Sequence, residues 1–179
     1  MLTLQRRRRP PKVSPVDSVV RRYSKDEPVV GVPNLALYVG MGELYDKAIA
    51  LKTGSIVTHT EIWVDGVFYS SSPRDRGVRA KHIDWDRGKW WFIPMPWLLP
   101  RDILNRFQPE RGKGYDYISI FTHFLTPKWF SNMCRYEANL SWYCSELCYY
   151  LITGEIATCI KPVDLAKVVL SKGSAFRSG

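Results

Sequence analysis

The stretch Thr58-His59-Thr60-Glu61-Ile62-Trp63-Val64-Asp65-Gly66-Val67-Phe68-Tyr69-Ser70-Ser71 decides the fold class. Two runs rich in β-branched and aromatic residues flank Asp-Gly. That dipeptide is the strongest short hairpin signal, because both central positions of a type I′ turn need positive φ. The arms are predicted over 56–64 and 67–71. Alternation along the first arm puts His59, Glu61 and Trp63 on one face and Thr60, Ile62 and Val64 on the other.

Upstream of the hairpin, 35–39 is a short apolar run that reads as a buried strand, broken by Gly40-Met41-Gly42. Residues 43–52 carry Leu44, Tyr45, Ala48, Ile49 and Leu51 at helical spacing, and Gly54 ends that helix. Downstream, 72–77 reads as a loop and the aromatic run 89–93 as a strand closed by Pro94 and Pro96. A short helix is predicted over 101–107 after Pro100, a loop at Gly112 and Gly114, and a helix over 115–124. Helices over 143–153 and 163–170, the second led by Pro162, complete the chain. A helix, then a β-meander, then helices is an α+β pattern: an antiparallel sheet packed against helices.

The chain has 179 residues, 45% hydrophobic and 13% aromatic, enough for one domain with a substantial core. No apolar run is long enough to span a membrane. The formal charge of +9 is concentrated at one end. Residues 1–25 hold Arg6, Arg7, Arg8, Arg9, Lys12, Arg21, Arg22 and Lys25 against Asp17, leaving a nearly neutral body. With Pro10, Pro11 and Pro15, residues 1–34 are expected to form a basic extended N-terminal arm, and 35–179 the folded domain. The arm is read as a solvated, flexible arm or one docked on a neighbour such as a virion or tail protein, ahead of one that binds nucleic acid, anionic lipid or an acidic wall polymer, because no aromatics are interleaved with its cations. No apolar segment follows the arginines, so no signal peptide is read, and the host cytoplasm is the expected place of synthesis.

Chemistry points to Cys144 in Tyr143-Cys144-Ser145-Glu146-Leu147. A thiol in the first turn of a helix meets unpaired N–H groups and the positive end of the dipole, which favour the thiolate. The bland alternative is a buried structural cysteine. A base is needed, and the three histidines differ in context. His59 lies on a rigid strand, His82 in the charged run Lys81-His82-Ile83-Asp84, and His123 among aromatics. His59 is the best-placed base. Its ring needs an orienting group, for which Glu61 and Ser70 compete: Glu61 lies two residues along the same face, Ser70 across the hairpin. Glu61 has a structural alternative, pairing with Arg74, Arg76 or Arg79. Cys134, Cys144, Cys148 and Cys159 do not form two CxxC pairs, so no zinc site and no cofactor are expected. Of the tryptophans Trp63, Trp90, Trp91, Trp97 and Trp142, most are expected in the core.

Four ordered segments together resemble the circularly permuted branch of the NlpC-type papain-like proteins. They are 44–62, with Leu44-Tyr45-Asp46-Lys47-Ala48-Ile49, Thr53-Gly54-Ser55 and Thr58-His59-Thr60-Glu61-Ile62; Gly114-Tyr115-Asp116-Tyr117; Tyr143-Cys144-Ser145-Glu146-Leu147; and Lys161-Pro162-Val163-Asp164-Leu165. The histidine precedes the cysteine, as in that branch. Ser72-Pro73-Arg74-Asp75, after the hairpin, is similar to members encoded by phages and prophages. The resemblance implies Cys144 as nucleophile, His59 as base, and a third polar position near Ser70, where many relatives carry a carboxylate or histidine. It implies a cysteine hydrolase or acyltransferase, with cell-wall peptide the natural phage target. Tyr115, Tyr117 and Ser145 are candidates for contacting the substrate or its oxyanion. Two other readings stay open: a lipid thioesterase or acyltransferase of the same fold, and a virion or tail component with a vestigial site.

Overall fold

A computed structural model of the chain describes residues 13–41, 44–86, 88–117, 141–157 and 160–178. In chain order the elements are α1 (Pro15–Tyr23), β1 (Asn34–Tyr38), α2 (Leu44–Thr53), β2 (His59–Val64), β3 (Val67–Ser72), β4 (Gly77–Lys81) and β5 (Trp90–Pro94). Then follow α3 (Pro100–Phe107), a 3-10 turn (Gln108–Glu110), β6 (Gly114–Tyr115), β7 (Ser141–Trp142), α4 (Cys144–Thr153) and α5 (Pro162–Ser178). The strands form one sheet in the order β5-β1-β2-β3-β4-β6-β7, antiparallel except for the parallel pair β6–β7. The protein is α+β.

The predicted hairpin is present. Asp65 and Gly66 both take positive φ, 44° and 92°, and Val64 faces Val67 across the turn. The sheet runs further than the sequence suggested. The stretch 72–77, expected as a loop, is a tight connection into β4, which was not predicted. Arg79 and Lys81 break the apolar pattern there, yet β4 pairs with β3 from Ser72↔Gly77 to Phe68↔Lys81. The glycine loop at 112–114 also ends in a strand, β6. Gly77 has φ 148°, and a Cβ there would lie 2.1 Å from the Lys113 carbonyl oxygen, so only glycine lets β6 approach β4 this closely. The helix expected over 115–124 begins no earlier than Tyr117, and 118–140 lie outside the described residues.

The two faces of the sheet differ. One buries Leu35, Leu37, Ile62, Val64, Tyr69 and Ile93 against helix residues that include Val20, Ile103, Phe107, Leu147 and Leu165. The other carries Ala36, Trp63, Phe68, Trp90 and Phe92, covered by Ile83 and Trp85 rather than by a helix. In α2 Ile49 is buried, but Leu51, expected on the apolar face, is 88% exposed.

The expectation of an extended arm over 1–34 needs correction for its described part. Residues 15–23 form α1. Ser14 and Asp17 make a reciprocal capping box, and Pro15 sits at the start of the helix, where its missing N–H costs nothing. Asp17 is fully buried; it accepts from Ser55 Oγ at 2.5 Å and from the Ile56 N–H at 3.2 Å. Val20 enters the core, and Lys25 bridges to Phe92 on β5. The folded domain therefore starts by residue 13, and residues 1–12 lie outside the described ones.

Candidate functional site

Cys144 is the first residue of α4, and that helix packs on β2 and β3. Tyr143 is its extended N-cap, and its side chain makes no capping hydrogen bond. The first helical bond runs from the Leu147 N–H to the Tyr143 carbonyl. The N–H groups of the first turn therefore point forward without a side-chain cap, the arrangement that favours an anion. The far end of α4 is anchored. Arg106 donates to the Leu151 and Ile152 carbonyls at 2.7 and 3.1 Å, a cation at the negative end of the dipole.

The sequence reading paired Cys144 with His59, and the structure brings them together: the buried thiol and the imidazole lie close enough for each to shift the other's ionisation. His59 opens β2, and its Nε2 lies 3.0 Å from Glu61 Oε1. With Nε2 committed to the carboxylate, Nδ1 is the nitrogen left for sulfur. Glu61 is held in turn by Arg79, whose two terminal nitrogens donate to the two carboxylate oxygens at 2.7 Å each. Arg79 Nε donates to Asp75 at 2.7 Å, and Asp75 also accepts from Lys81. A ladder of alternating charge thus runs from the thiol to the solvent.

Burial opposes both charges of the Cys144–His59 pair, and mutual attraction wins at each. Burial would lower His59; the Cys144 charge and hydrogen bond, joined by Glu61, raise it from its ordinary 6.5 to about 10. Burial would raise Cys144; the His59 cation, its hydrogen bond and Thr60 bring the thiol below its ordinary 9.0. The shifts act in the same sense: each charge of the pair favours the other, the thiolate and the imidazolium together. Burial would also raise Glu61, and the hydrogen bonds from Arg79 and His59 hold it low. Cys148, one helical turn on, is buried and pushed well above 9.0 by burial and by the Cys144 charge, so it stays a thiol.

Of the two groups weighed for orienting His59, Glu61 does so and Ser70 does not. The Ser70 hydroxyl donates to the Thr60 carbonyl at 2.8 Å, a fully buried contact within the sheet. The register explains this: Ser70 lies across from Arg79 on β4, and its short side chain turns back onto the backbone. Among the oxyanion candidates, Tyr115 is buried against Tyr143 and Cys144. Tyr117 points elsewhere, donating to the Pro73 carbonyl at 3.2 Å. The Ser145 hydroxyl is likewise spent, donating to the Ile160 carbonyl at 2.5 Å. Ser145 fixes the start of α4 and leaves no hydroxyl for a substrate. Asp75, Lys81 and Thr60 were missed. Thr60 Oγ1 is buried beside both thiols without a hydrogen-bond partner of normal geometry. The alternation of β2 put it on the helix side, which was the available signal.

His82 stands apart, its Nδ1 2.9 Å from the Gly66 carbonyl. His123, Cys134 and Cys159 lie outside the described residues. Among the described residues no group of three or more His, Cys, Asp or Glu side chains is placed to hold a metal ion, and no helix is long and apolar enough to cross a membrane. A cleft of about 270 Å³ reaches the ladder; His59, Glu61, Arg74, Asp75, Arg79 and Trp90 are among its walls. Cys144 itself is 1% exposed, whereas the His59 side chain is 17% exposed. Comparisons of the chain with protein-family models, with curated proteins and with solved structures give no match.

Proposed function

We propose that this protein is a cysteine hydrolase of the permuted papain-like type that cleaves amide bonds, with cell-wall peptide in a bacteriophage setting as its substrate. The observation that carries the reading is the juxtaposition of Cys144, at an uncapped helix start, with a His59 ring held by Glu61 at 3.0 Å. The order of base before nucleophile and the resemblance of four segments support the family assignment.

In this reading the Cys144 thiolate attacks the carbonyl carbon, and the carbonyl π electrons move to oxygen. The backbone N–H groups of the first turn of α4 stabilise that oxyanion. Protonated His59 gives its Nδ1 proton to the leaving amine as the C–N bond breaks. Neutral His59 then accepts a proton from water, and the resulting hydroxide displaces sulfur from the acyl group. Glu61 holds the ring in one tautomer throughout and stabilises the cation.

The charged walls of the cleft favour a polar peptide over a lipid chain, which needs an apolar channel. A virion or tail component with a vestigial site would have no use for a carboxylate and an arginine fork aligned on the His59 ring. The test is wall digestion by the Cys144→Ala variant. Loss of muropeptide release, with circular dichroism unchanged, is expected; digestion at the wild-type rate sinks the proposal. Labelling by an acyl-chain probe without muropeptide release would favour a thioesterase instead.

A further inference from the structure

We propose that Arg79 is a positioning residue of this site: its guanidinium fork fixes Glu61 as an ionised acceptor for His59 and so sets where the proton sits between ring and thiol. This rests on the reading of Cys144 as the nucleophile.

The geometry carries the argument. Glu61 Oε1, which faces His59 Nε2 at 3.0 Å, also accepts from an Arg79 terminal nitrogen at 2.7 Å. The other terminal nitrogen holds Oε2 at 2.7 Å. A glutamate side chain has three rotatable bonds, and a strand backbone alone does not aim it. A bidentate fork does, because it fixes both the position and the plane of the carboxylate. The fork is itself secured from behind by Asp75 on Nε, and Asp75 is tied to Lys81 at 2.7 and 2.9 Å. Lysine at position 79 would offer one point charge without the plane.

Burial decides what happens without Arg79. The Glu61 side chain is 3% exposed and that of Arg79 14%, so water does not take over the fork's role. An unpaired carboxylate in that position takes up a proton more readily. Two effects of Arg79 oppose each other. Its charge weakens the pull of Glu61 on the imidazolium, while its hydrogen bonds keep Glu61 ionised and aimed. The second dominates, because a neutral or misdirected Glu61 stabilises no cation at all. The other charges facing the ladder are those of the cleft walls: Asp46 of α2, Arg74 of the β3–β4 turn, and Asp84, Asp86 and Lys89 between β4 and β5. On the helix side stands Cys148, which stays neutral.

A purely structural Arg79, tying β2 to β4 across β3, would leave the thiol's titration alone. The experiment is the rate of Cys144 alkylation by iodoacetamide against pH. Peptide mapping assigns the label, and wild type, Arg79→Lys, Arg79→Gln, Glu61→Gln and the Glu61→Gln/Arg79→Gln double variant are compared. The expected result is a wild-type inflection below that of an ordinary thiol. Arg79→Gln should move it up by a unit or more, about a tenfold loss of rate at pH 6, and Arg79→Lys should move it less in the same direction. The double variant should match Glu61→Gln alone, because Arg79 acts through Glu61. Folded Arg79 variants with the wild-type profile, or an additive double variant, overturn the proposal. If Arg79→Gln does not fold, Arg79→Lys decides: a wild-type profile there overturns it. An ordinary inflection in wild type removes the nucleophile reading and this proposal with it. A low wild-type inflection unmoved by Arg79 removes this proposal alone.

Discussion

The helix-covered face of the sheet and its opposite face are built from alternate residues of the same strands. Ile62 and Val64 of β2 pack under α4, while Glu61 and Trp63 look the other way. The first face is almost wholly apolar, and it determines where α4 lies and therefore where Cys144 begins it. The second divides in two: aromatics at one end, around Trp63, Phe68, Trp90 and Phe92, and the charge ladder at the other. Nondirectional burial can set the position of a helix, but aiming an imidazole needs directional bonds. The two jobs fall on opposite sides of one layer of backbone, and they meet where β2 starts.

That division can be broken by experiment. Leu147 of α4, fully buried against the sheet, belongs to the stabilising face. Leu147→Ala should cost about 3 kcal/mol in urea unfolding while leaving the ionisation of Cys144 unchanged in the folded fraction. A shifted thiol titration would mean that the helix face also tunes the charge. Phe92→Ala, on the other face, should cost about as much, since it opens the aromatic cluster. A cost below about 1 kcal/mol would make that face dispensable for stability. Asp17→Ala should cost about 2 kcal/mol, because it removes a helix cap and leaves the Ser55 hydroxyl and the Ile56 N–H buried without their acceptor. A neutral result would detach α1 from the fold.

The Cys144–His59 pair gives stability a pH dependence of definite sign. The part contributed by His59 is complete below 6.5 and lost as pH rises to about 10. The part contributed by Cys144 is complete above 9.0 and lost as pH falls toward its depressed value. Just below 9.0 the two slopes oppose each other; above 9.0 only the His59 loss remains. Wild type minus Cys144→Ala, followed by urea unfolding, should therefore change little just below pH 9 and fall above it, by about 1 kcal/mol between pH 9 and 10. A difference that falls as steeply just below pH 9 as above it would show that Cys144 supplies no opposing slope. The smallest effect belongs to Arg21, a half-buried residue stacked 5.3 Å from the Trp91 ring centroid and paired with Asp26. Arg21→Ala should cost about 0.5 kcal/mol.

What was legible in the sequence was local. Asp65-Gly66 marks its own turn, and the helix from Cys144 announces itself by its apolar body. Cys144 and His59 were identifiable because each sits in a segment with a strong local pattern. Glu61 was visible through strand alternation, but ranking it above Ser70 needed the register of β3 with β4, and β4 was hidden by Arg79 and Lys81. Without β4 the fork and Asp75 had no address. The helix α1 was hidden by charge: its arginines read as part of a tail, although Ser14, Pro15 and Asp17 spelled a cap. The decisive partners of Asp17, Ser55 and Ile56, lie far along the chain, beyond what any window of sequence relates.

Gly77 has a consequence for how the site can be lost. The chain leaves β6 at Tyr115 and returns in β7 beside it, and Tyr143 and Cys144 follow at once. The Cys144 sulfur therefore hangs from the sheet's outermost strands, and these lean on β4 through a contact between two glycines. Adding one methyl group at Gly77, with no change in charge or polarity, would press on the Lys113 carbonyl and push that edge outward. Cys144 would shift relative to the charge ladder. A chain could keep its thiol, ring, carboxylate and arginine and still lose their alignment through a single added carbon at the β4–β6 contact.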